Sequence, residues 1–332
     1  MRNIDLICTI IVQTLSYRTK HFLLLLIKLS IVVAALYFIY QKLINNNTLD
    51  FSDFYTILTE NSNFSIKTVS FLLFLSAFNW FLEILKWQLL VSSFKKISFK
   101  NATAQSLGSL TASLITPNRI GEYGAKAMFY QTTFRKKIVF INLISNLLQL
   151  LITTVLGLIG LAFFLQAYET SFNLYSFSFY ASGLLVLVLL LSFIIFKGTF
   201  KFKAFSIAKV KRFLTNFPKN KLLQGLGLSF VRYAVFSFQF YFLVQIFQIQ
   251  LSYFESIIII STMYLLASII PSIFIFDVLI KGSIAVYLFS FAQVNELFIL
   301  SIVTLMWLFN FVLPSLIGSY YVLKFNFKNN LS

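Results

Sequence analysis

The chain has 332 residues, of which 59% are hydrophobic and only 11% are charged. A water-soluble domain carries about 25% charged residues, so this composition excludes an ordinary soluble enzyme or binding domain. The formal net charge is +17, from 27 Lys and Arg against 10 Asp and Glu residues. Most basic residues lie in short segments between long apolar runs, which is typical of cytoplasmic loops of a membrane protein and argues against a nucleic-acid partner.

Cysteine and histidine are nearly absent, with only Cys8 and His21 in the chain. A single cysteine excludes an internal disulfide framework, and so few potential ligands predict neither a metal site nor a cofactor. The sequence has no phosphate-cradling glycine loop and no serine–histidine pair, so we expect that the chain is not an enzyme.

Several apolar segments are long enough to cross a bilayer, for which about 18 or more apolar residues suffice. Two further apolar stretches, 101–134 and 256–293, are each interrupted midway by proline and charge, and we interpret them as re-entrant helical hairpins. The sequence therefore predicts an all-α integral membrane protein, with residues 1–332 forming a single polytopic membrane domain. The six predicted crossing helices lie near 22–40, 68–92, 138–166, 177–196, 226–247 and 297–323.

The loop charges predict the orientation, because cytoplasmic loops are enriched in Lys and Arg. Both termini, the segments 95–100 and 135–137 and the loop 197–221 are basic, so we place them in the cytoplasm and the protein in the plasma (inner) membrane. The first hairpin has basic segments at both ends and is predicted to open inward. The second has Glu255 and Glu296 at its ends and is predicted to open outward.

The order of span, hairpin and span occurs twice, in residues 68–166 and again in residues 226–323. Because the two hairpins are predicted to open to opposite sides, the two units form an inverted repeat. Inverted repeats with broken helices near the membrane midplane are typical of secondary transporters. Non-helical backbone at that depth is tolerated only where it is buried in protein or lines a wet cavity.

The tip of the first hairpin combines a helix breaker with three charges. Pro117 ends the incoming half-helix, and Gly121 permits a tight turn. Glu122 and Lys126 are four residues apart and are expected to pair on one helical face, which makes Arg119 the remaining cation. A charge inside the membrane indicates a functional site by default, and a self-neutralising cluster that only fixes the hairpin is the alternative.

The tip of the second hairpin repeats the pattern with Pro271 and Gly282 as its structural residues. Asp277 and Lys281 are again four residues apart and can neutralise each other. A ligand-binding role and a purely structural pairing are both open here, because this pair has no surplus charge.

Polar residues also follow single faces of the crossing helices. The residues on the third span recur at helical spacing, and uncharged stripes of this kind are usually hydrogen-bonding seams between helices. Arg232 on the fifth span differs because no acidic residue lies near it in the sequence. The stripe on the third span consists of Asn142, Asn146, Gln149 and Thr153.

Basic residues outnumber acidic residues within the predicted membrane segments. A surplus of positive charge favours an anionic cargo, such as a lipid phosphate, over a bare cation. The basic residues are Lys28, Lys86, Arg119, Lys126, Arg232 and Lys281, and the acidic residues are Glu83, Glu122 and Asp277.

The run Pro117-Asn118-Arg119-Ile120-Gly121-Glu122, followed by Lys126, resembles a proline-glycine-arginine-x-glycine-glutamate motif. That motif belongs to flippase-like proteins related to the membrane domain of lysylphosphatidylglycerol synthase. Leu85-Lys86-Trp87 is similar to an arginine–tryptophan pair on an early helix of that family. Asn118 and Lys126 depart from the family's glycine and arginine, and the synthase's soluble aminoacyl-transferase domain is absent from this sequence. The resemblance implies lipid translocation rather than lipid synthesis.

These observations predict a membrane protein that moves an amphiphile with an anionic headgroup between leaflets. The alternatives are an ion-coupled transporter of a small solute, and a non-catalytic membrane subunit supporting a glycosyl- or aminoacyl-transferase. The expected partners are anionic membrane lipids, with a homo-oligomer or a partner transferase left open. The predicted substrate-binding residues are Arg119, Glu122, Lys126, Asp277, Lys281 and Arg232.

Overall fold

The computed structural model describes residues 63–114, 116, 119–168, 216–269 and 274–325, with isolated positions before residue 63 and between 201 and 213. The side chains of 274–279 are outside this description. The predicted span 177–196 lies outside the described residues, as does 22–40 apart from isolated helical positions. Pro117, Pro271 and the side chain of Asp277 are also outside them.

The described part of the chain is helical, apart from its loops and a two-residue antiparallel pair of strands. The first half contains α1 (Ile66–Val91), α2 (Phe99–Ser113), α3 (Gly121–Met128) and α4 (Thr132–Ala167). The strand pair is β1 (Lys201–Phe202) and β2 (Phe205–Ser206). The second half contains α5 (Lys219–Ile246), α6 (Tyr253–Ile269), α7 (Phe274–Ser290), α8 (Glu296–Trp307), a π-helical turn (Leu308–Val312) and α9 (Leu313–Lys324).

Four of the described helices are long and apolar enough to cross a membrane: α1, α4, α5 and the continuous helix Glu296–Lys324 formed by α8, the π-helical turn and α9. They range from 26 to 36 residues, or about 39 to 54 Å at 1.5 Å per residue. The hydrocarbon core of a bilayer is about 30 Å thick, so each helix spans it with residues to spare. The structure confirms long apolar helices at four of the predicted spans, 68–92, 138–166, 226–247 and 297–323.

Each of the two interrupted stretches contains two described helices. In the first, Thr116 closes the turn between α2 and α3, because its hydroxyl accepts the Gly121 N–H at 2.9 Å and donates to the Ser113 carbonyl at 2.7 Å. A Cβ on Gly121 would lie 2.8 Å from a Thr116 carbon, so the turn requires glycine. Arg119 adopts a positive φ of 55° in the same turn.

In the second stretch, α6 ends at Ile269 and α7 begins at Phe274. Gly282 lies within α7, and a Cβ added to it would lie 3.3 Å from Leu300 of α8. Its role in the described structure is therefore helix packing. A capping box starts α6, since the Ser252 N–H donates to the Glu255 carboxylate at 2.9 Å and the Glu255 N–H donates back to the Ser252 hydroxyl at 3.3 Å.

The main helix contacts follow one pattern in both halves of the chain. Helix α1 packs on α5, α2 packs on α9, and α4 packs on α6. In the two predicted repeat units, α1 corresponds to α5, α2 to α6, and α4 to the helix formed by α8 and α9. The α2–α9 contact of one unit order therefore corresponds to the α4–α6 contact of the other, and the α1–α5 contact corresponds to itself. The α1–α5 contact is antiparallel, because Gly225 lies against Leu90 and Gln239 donates to the Leu72 carbonyl. Antiparallel first helices are what an inverted repeat requires, and the repeat stays a prediction.

Small residues allow close packing in the α2–α9 and α4–α6 contacts, as they do between membrane helices in general. A Cβ on Gly318 of α9 would lie 2.2 Å from the Leu107 carbonyl oxygen of α2, and a Cβ on Gly157 of α4 would lie 2.5 Å from the Cβ of Leu265 of α6. The Thr111 hydroxyl of α2 also donates to the Ser315 carbonyl at 2.8 Å. The backbones of both helix pairs therefore lie almost in contact.

We expect that Gly318→Ala destabilises the protein, because backbone atoms rather than flexible side chains block the new methyl group. Overpacking of this kind costs about 1–3 kcal/mol. Thermal unfolding in detergent measures the effect. Gly124→Ala is the matched control, since a Cβ there meets nothing within 4 Å. Equal melting temperatures for the two variants would contradict the tight α2–α9 contact.

Candidate functional site

A cavity of about 470 Å³, lined by many polar and charged residues, lies at mid-height of the spanning helices. Asn79 of α1, Gln149 of α4, Arg232 of α5 and Asn310 of the π-helical turn all line it, and each lies near the centre of its helix. Two apolar clusters pack at the two ends of α1, one containing Leu72 and the other Trp87 and Leu90. The cavity therefore lies between two apolar layers.

The first charged group in the cavity is centred on Glu122 of α3. Its carboxylate pairs with Lys126 Nζ at 2.7 Å and with Arg119 Nη2 at 3.2 Å. Lys126 also donates to Asn142 Oδ1 at 2.8 Å and lies 4.2 Å from the ring centroid of Trp87. The side chain of Lys126 is 1% exposed and that of Arg119 is 31% exposed. The Lys126 side chain is thus buried and held by several contacts, whereas the Arg119 side chain faces the cavity.

Neighbouring side chains fix the position of this group. Trp87 of α1 donates its indole N–H to Gln105 Oε1 of α2 at 2.8 Å, and Tyr130 donates to the same oxygen at 2.9 Å. The aromatic ring over which Lys126 lies is therefore held by Gln105, which is itself held by Tyr130. Buried hydrogen-bonded networks of this kind favour a single geometry.

The second charged group is centred on Glu83 of α1. Its Oε2 atom lies 2.8 Å from both Lys86 Nζ and Arg232 Nη1. Arg232 also donates to Asn79 Oδ1 at 3.1 Å and to Gln149 Oε1 at 3.3 Å, so one guanidinium joins α1, α4 and α5. Lys86 is 1% exposed and Arg232 is 22% exposed, which repeats the arrangement around Glu122.

A chain of carboxamides connects the second charged group to the π-helical turn. Asn79 donates to Asn310 Oδ1 at 3.0 Å, and Asn310 donates to Gln239 Oε1 of α5 at 2.9 Å. The turn also exposes backbone carbonyls, which accept hydrogen bonds from Ser76 and Trp80 of α1. A π-helical turn inside an α-helix frequently marks a functional site, and here it brings Asn310 and its own backbone to the cavity.

Phe311 of the π-helical turn lies close to two cations of the cavity. Its ring centroid is 5.9 Å from the guanidinium carbon of Arg119 and 5.4 Å from Lys281 Nζ of α7. Cation–π contacts at about 6 Å help to orient a cation. The residues from the two hairpins therefore meet at one aromatic ring.

The structure brings most of the predicted site residues to the same cavity. Its lining includes Arg119, Glu122, Lys126, Arg232 and Lys281. The side chain of Asp277, the remaining predicted residue, is outside the described part. The stripe predicted on α4 also contributes, because Asn146, Gln149 and Thr153 line the cavity.

One detail of the sequence interpretation is wrong, because Arg119 is not left over but shares Glu122 with Lys126. Arg232 has no acidic residue near it in the sequence, but it pairs with Glu83 of α1, which is distant in sequence and adjacent in the α1–α5 contact. In both groups one carboxylate serves two cations, so the surplus positive charge belongs to the group rather than to one residue.

Sequence reasoning missed several residues of the cavity, chiefly Trp80, Asn310 and Phe311. The available signal was Asn310 itself, a lone carboxamide within a long apolar helix and four residues before Pro314. Nothing in the sequence indicated the π-helical turn that presents it.

Some polar groups in the cavity wall have no protein partner. Ser106 and Tyr264 belong to the cavity wall, but their hydroxyl oxygens are buried and make no hydrogen bond within the described part of the chain. Buried polar groups are almost always satisfied, so these two hydroxyls are exceptions. The described residues contain no group of three or more His, Cys, Asp or Glu side chains that could hold a metal ion.

The chain belongs to the family described as the lysylphosphatidylglycerol synthase TM region, whose pattern it matches over residues 25–318. This match confirms the family suggested by the hairpin motif and by Leu85-Lys86-Trp87. It places the chain among multi-pass membrane proteins related to lipid modification or transport. No curated protein and no solved structure matches the chain.

Proposed function

We propose that the protein translocates a lipid, or another amphiphile, whose anionic headgroup enters the central cavity. The observation that carries this proposal is the pair of charged groups, each with two cations on one carboxylate, facing one cavity at mid-height of the spanning helices. Ionisable residues at that depth are costly and are usually retained for function.

The roles of the cations follow from their exposure. Lys86 and Lys126 are buried and hold the two carboxylates in place, whereas Arg119 and Arg232 remain open to the cavity. A planar guanidinium suits a phosphate or carboxylate, because it donates two parallel hydrogen bonds. Lys281 also lines the cavity, where its ammonium group lies 5.4 Å from the ring centroid of Phe311.

The size of the cavity favours a headgroup over a whole lipid. A volume of about 470 Å³ lies in the range of small-molecule sites, so acyl chains would stay in the surrounding bilayer. The matching α2–α9 and α4–α6 contacts and the antiparallel α1–α5 pair support an inverted repeat. In such a repeat, opposite movements of the two hairpins would open the cavity to one leaflet and then to the other.

Transport by purified protein in liposomes tests this proposal. A fluorescent anionic phospholipid should cross between leaflets faster than in protein-free liposomes, and faster than a zwitterionic analogue with the same chains. Arg119→Gln should slow this transfer by about tenfold or more, because a charge-assisted hydrogen bond contributes about 1.5–3 kcal/mol.

Lys67→Gln is the control for Arg119→Gln, because it removes one exposed cation from α1 outside the cavity. Its transfer rate should equal that of the wild type. Transfer that is independent of headgroup charge, or that is unaffected by Arg119→Gln, would refute the proposal and favour a supporting role for another enzyme.

A further inference from the structure

A second concave site lies outside the cavity, in an open groove of about 740 Å³ between α1 and α5. It shares no lining residue with the central cavity. Its volume is sufficient for a bound molecule. The lining residues are Leu85, Gln88, Leu89, Ser92, Lys96, Ile97, Gln224, Gly227 and Leu228.

The groove is polar at one end and apolar along its length. Its polar end lies where α1 ends at Val91 and α5 begins at Lys219. From there it runs along both helices towards Leu85 and Leu228, which is about two helical turns into the spanning part. The surface of its walls is mainly apolar. This gradient matches that of a phospholipid placed with its headgroup at the helix ends.

Two lysines lie at the polar end of the groove. Lys96 is exposed and lines the groove, and Lys221 Nζ donates to the hydroxyl of Ser92, another lining residue, at 2.6 Å. None of the residues that line the groove is acidic. An anion at this position would be attracted by both ammonium groups and accept hydrogen bonds from them.

Two glycines of α5 determine that the groove is present and open. A Cβ on Gly225 would lie 2.9 Å from Leu148 of α4 and 3.3 Å from Leu90 of α1, so this glycine permits close packing of the three helices. A Cβ on Gly227 meets nothing within 4 Å. The wall at Gly227 is therefore unfilled, and a larger side chain there would project into the groove.

We propose that this groove binds an anionic phospholipid from the surrounding membrane, with its phosphate at Lys96, Lys221 and Ser92 and an acyl chain along Leu85, Leu89 and Leu228. A soluble anion would occupy only the polar end and leave the apolar walls uncovered. The occupant must also reach the site from the bilayer, because both walls belong to spanning helices. This lipid is a resident of the α1–α5 contact and is separate from any cargo of the central cavity.

Native mass spectrometry of the purified, delipidated protein tests the site. Added phosphatidylglycerol should bind at a low stoichiometry, and phosphatidylcholine with the same acyl chains should bind at least about tenfold more weakly. The double variant Lys96→Gln/Lys221→Gln should lose this preference. Gly227→Phe should reduce binding of phosphatidylglycerol by filling the groove while both lysines remain.

Lys136→Gln is the control, because it removes an exposed cation outside the groove and should leave binding unchanged. Equal binding of the two lipids by the wild type would overturn the proposal. So would phosphatidylglycerol binding that survives in the double lysine variant, or full competition by inorganic phosphate alone. The readout is lipid retention rather than transport, so failure here is distinguishable from failure of the proposed function.

Discussion

Lys126→Met is expected to lower the free energy of unfolding by about 3–5 kcal/mol, the cost of leaving one charge of a buried pair without its partner. The substitution removes the 2.7 Å contact with Glu122, the hydrogen bond to Asn142 and the contact with Trp87. Glu122 would keep only Arg119, which is partly exposed and 3.2 Å away. Denaturant unfolding in detergent, followed by tryptophan fluorescence, measures the loss.

Two further variants separate this explanation from a simple loss of packing. The double variant Glu122→Gln/Lys126→Met removes both buried charges and should recover a large part of the lost stability. Lys95→Met, at an exposed position, should change stability by less than about 1 kcal/mol. If Lys126→Met is as mild as Lys95→Met, the Glu122 group does not hold the hairpin.

The contrast between Lys126 and Arg119 separates stability from transport. Arg119→Gln leaves the buried Glu122–Lys126 pair intact, so it should change stability little while it slows transfer of an anionic lipid.

The Glu122–Lys126 pair was predictable from the sequence, because residues four positions apart lie on the same face of a helix. The different exposure of the two cations depends on the helices packed around them and has no local signal.

The spanning helices were predictable because a long apolar run has few alternatives in a membrane. The Glu83–Arg232 pair was not, because its partners are 149 positions apart and meet only through the antiparallel α1–α5 contact. The π-helical turn at Leu308–Val312 was also not predictable, since α8 and α9 read as one continuous apolar run. Local chemistry thus identified the charged residues of the cavity, and tertiary packing decided how they pair.

Glu83→Gln is expected to destabilise the protein about as strongly as Lys126→Met, because Glu83 is the carboxylate shared by two cations. Lys86, at 1% exposure, would be left as a buried charge beside a neutral amide. Arg232 would lose its contact at 2.8 Å but keep its hydrogen bonds to Asn79 and Gln149. The main cost therefore arises from Lys86 rather than from Arg232.

A double-mutant cycle tests that assignment. Lys86→Met added to Glu83→Gln should restore stability by about 2 kcal/mol or more, because no buried charge is then left without a partner. Arg232→Gln added to Glu83→Gln should restore less, since Arg232 is 22% exposed and reaches the cavity. If Arg232→Gln restores more stability than Lys86→Met in the Glu83→Gln background, the Glu83 carboxylate chiefly stabilises Arg232. Glu83 would then belong to the binding surface rather than to the framework that supports it.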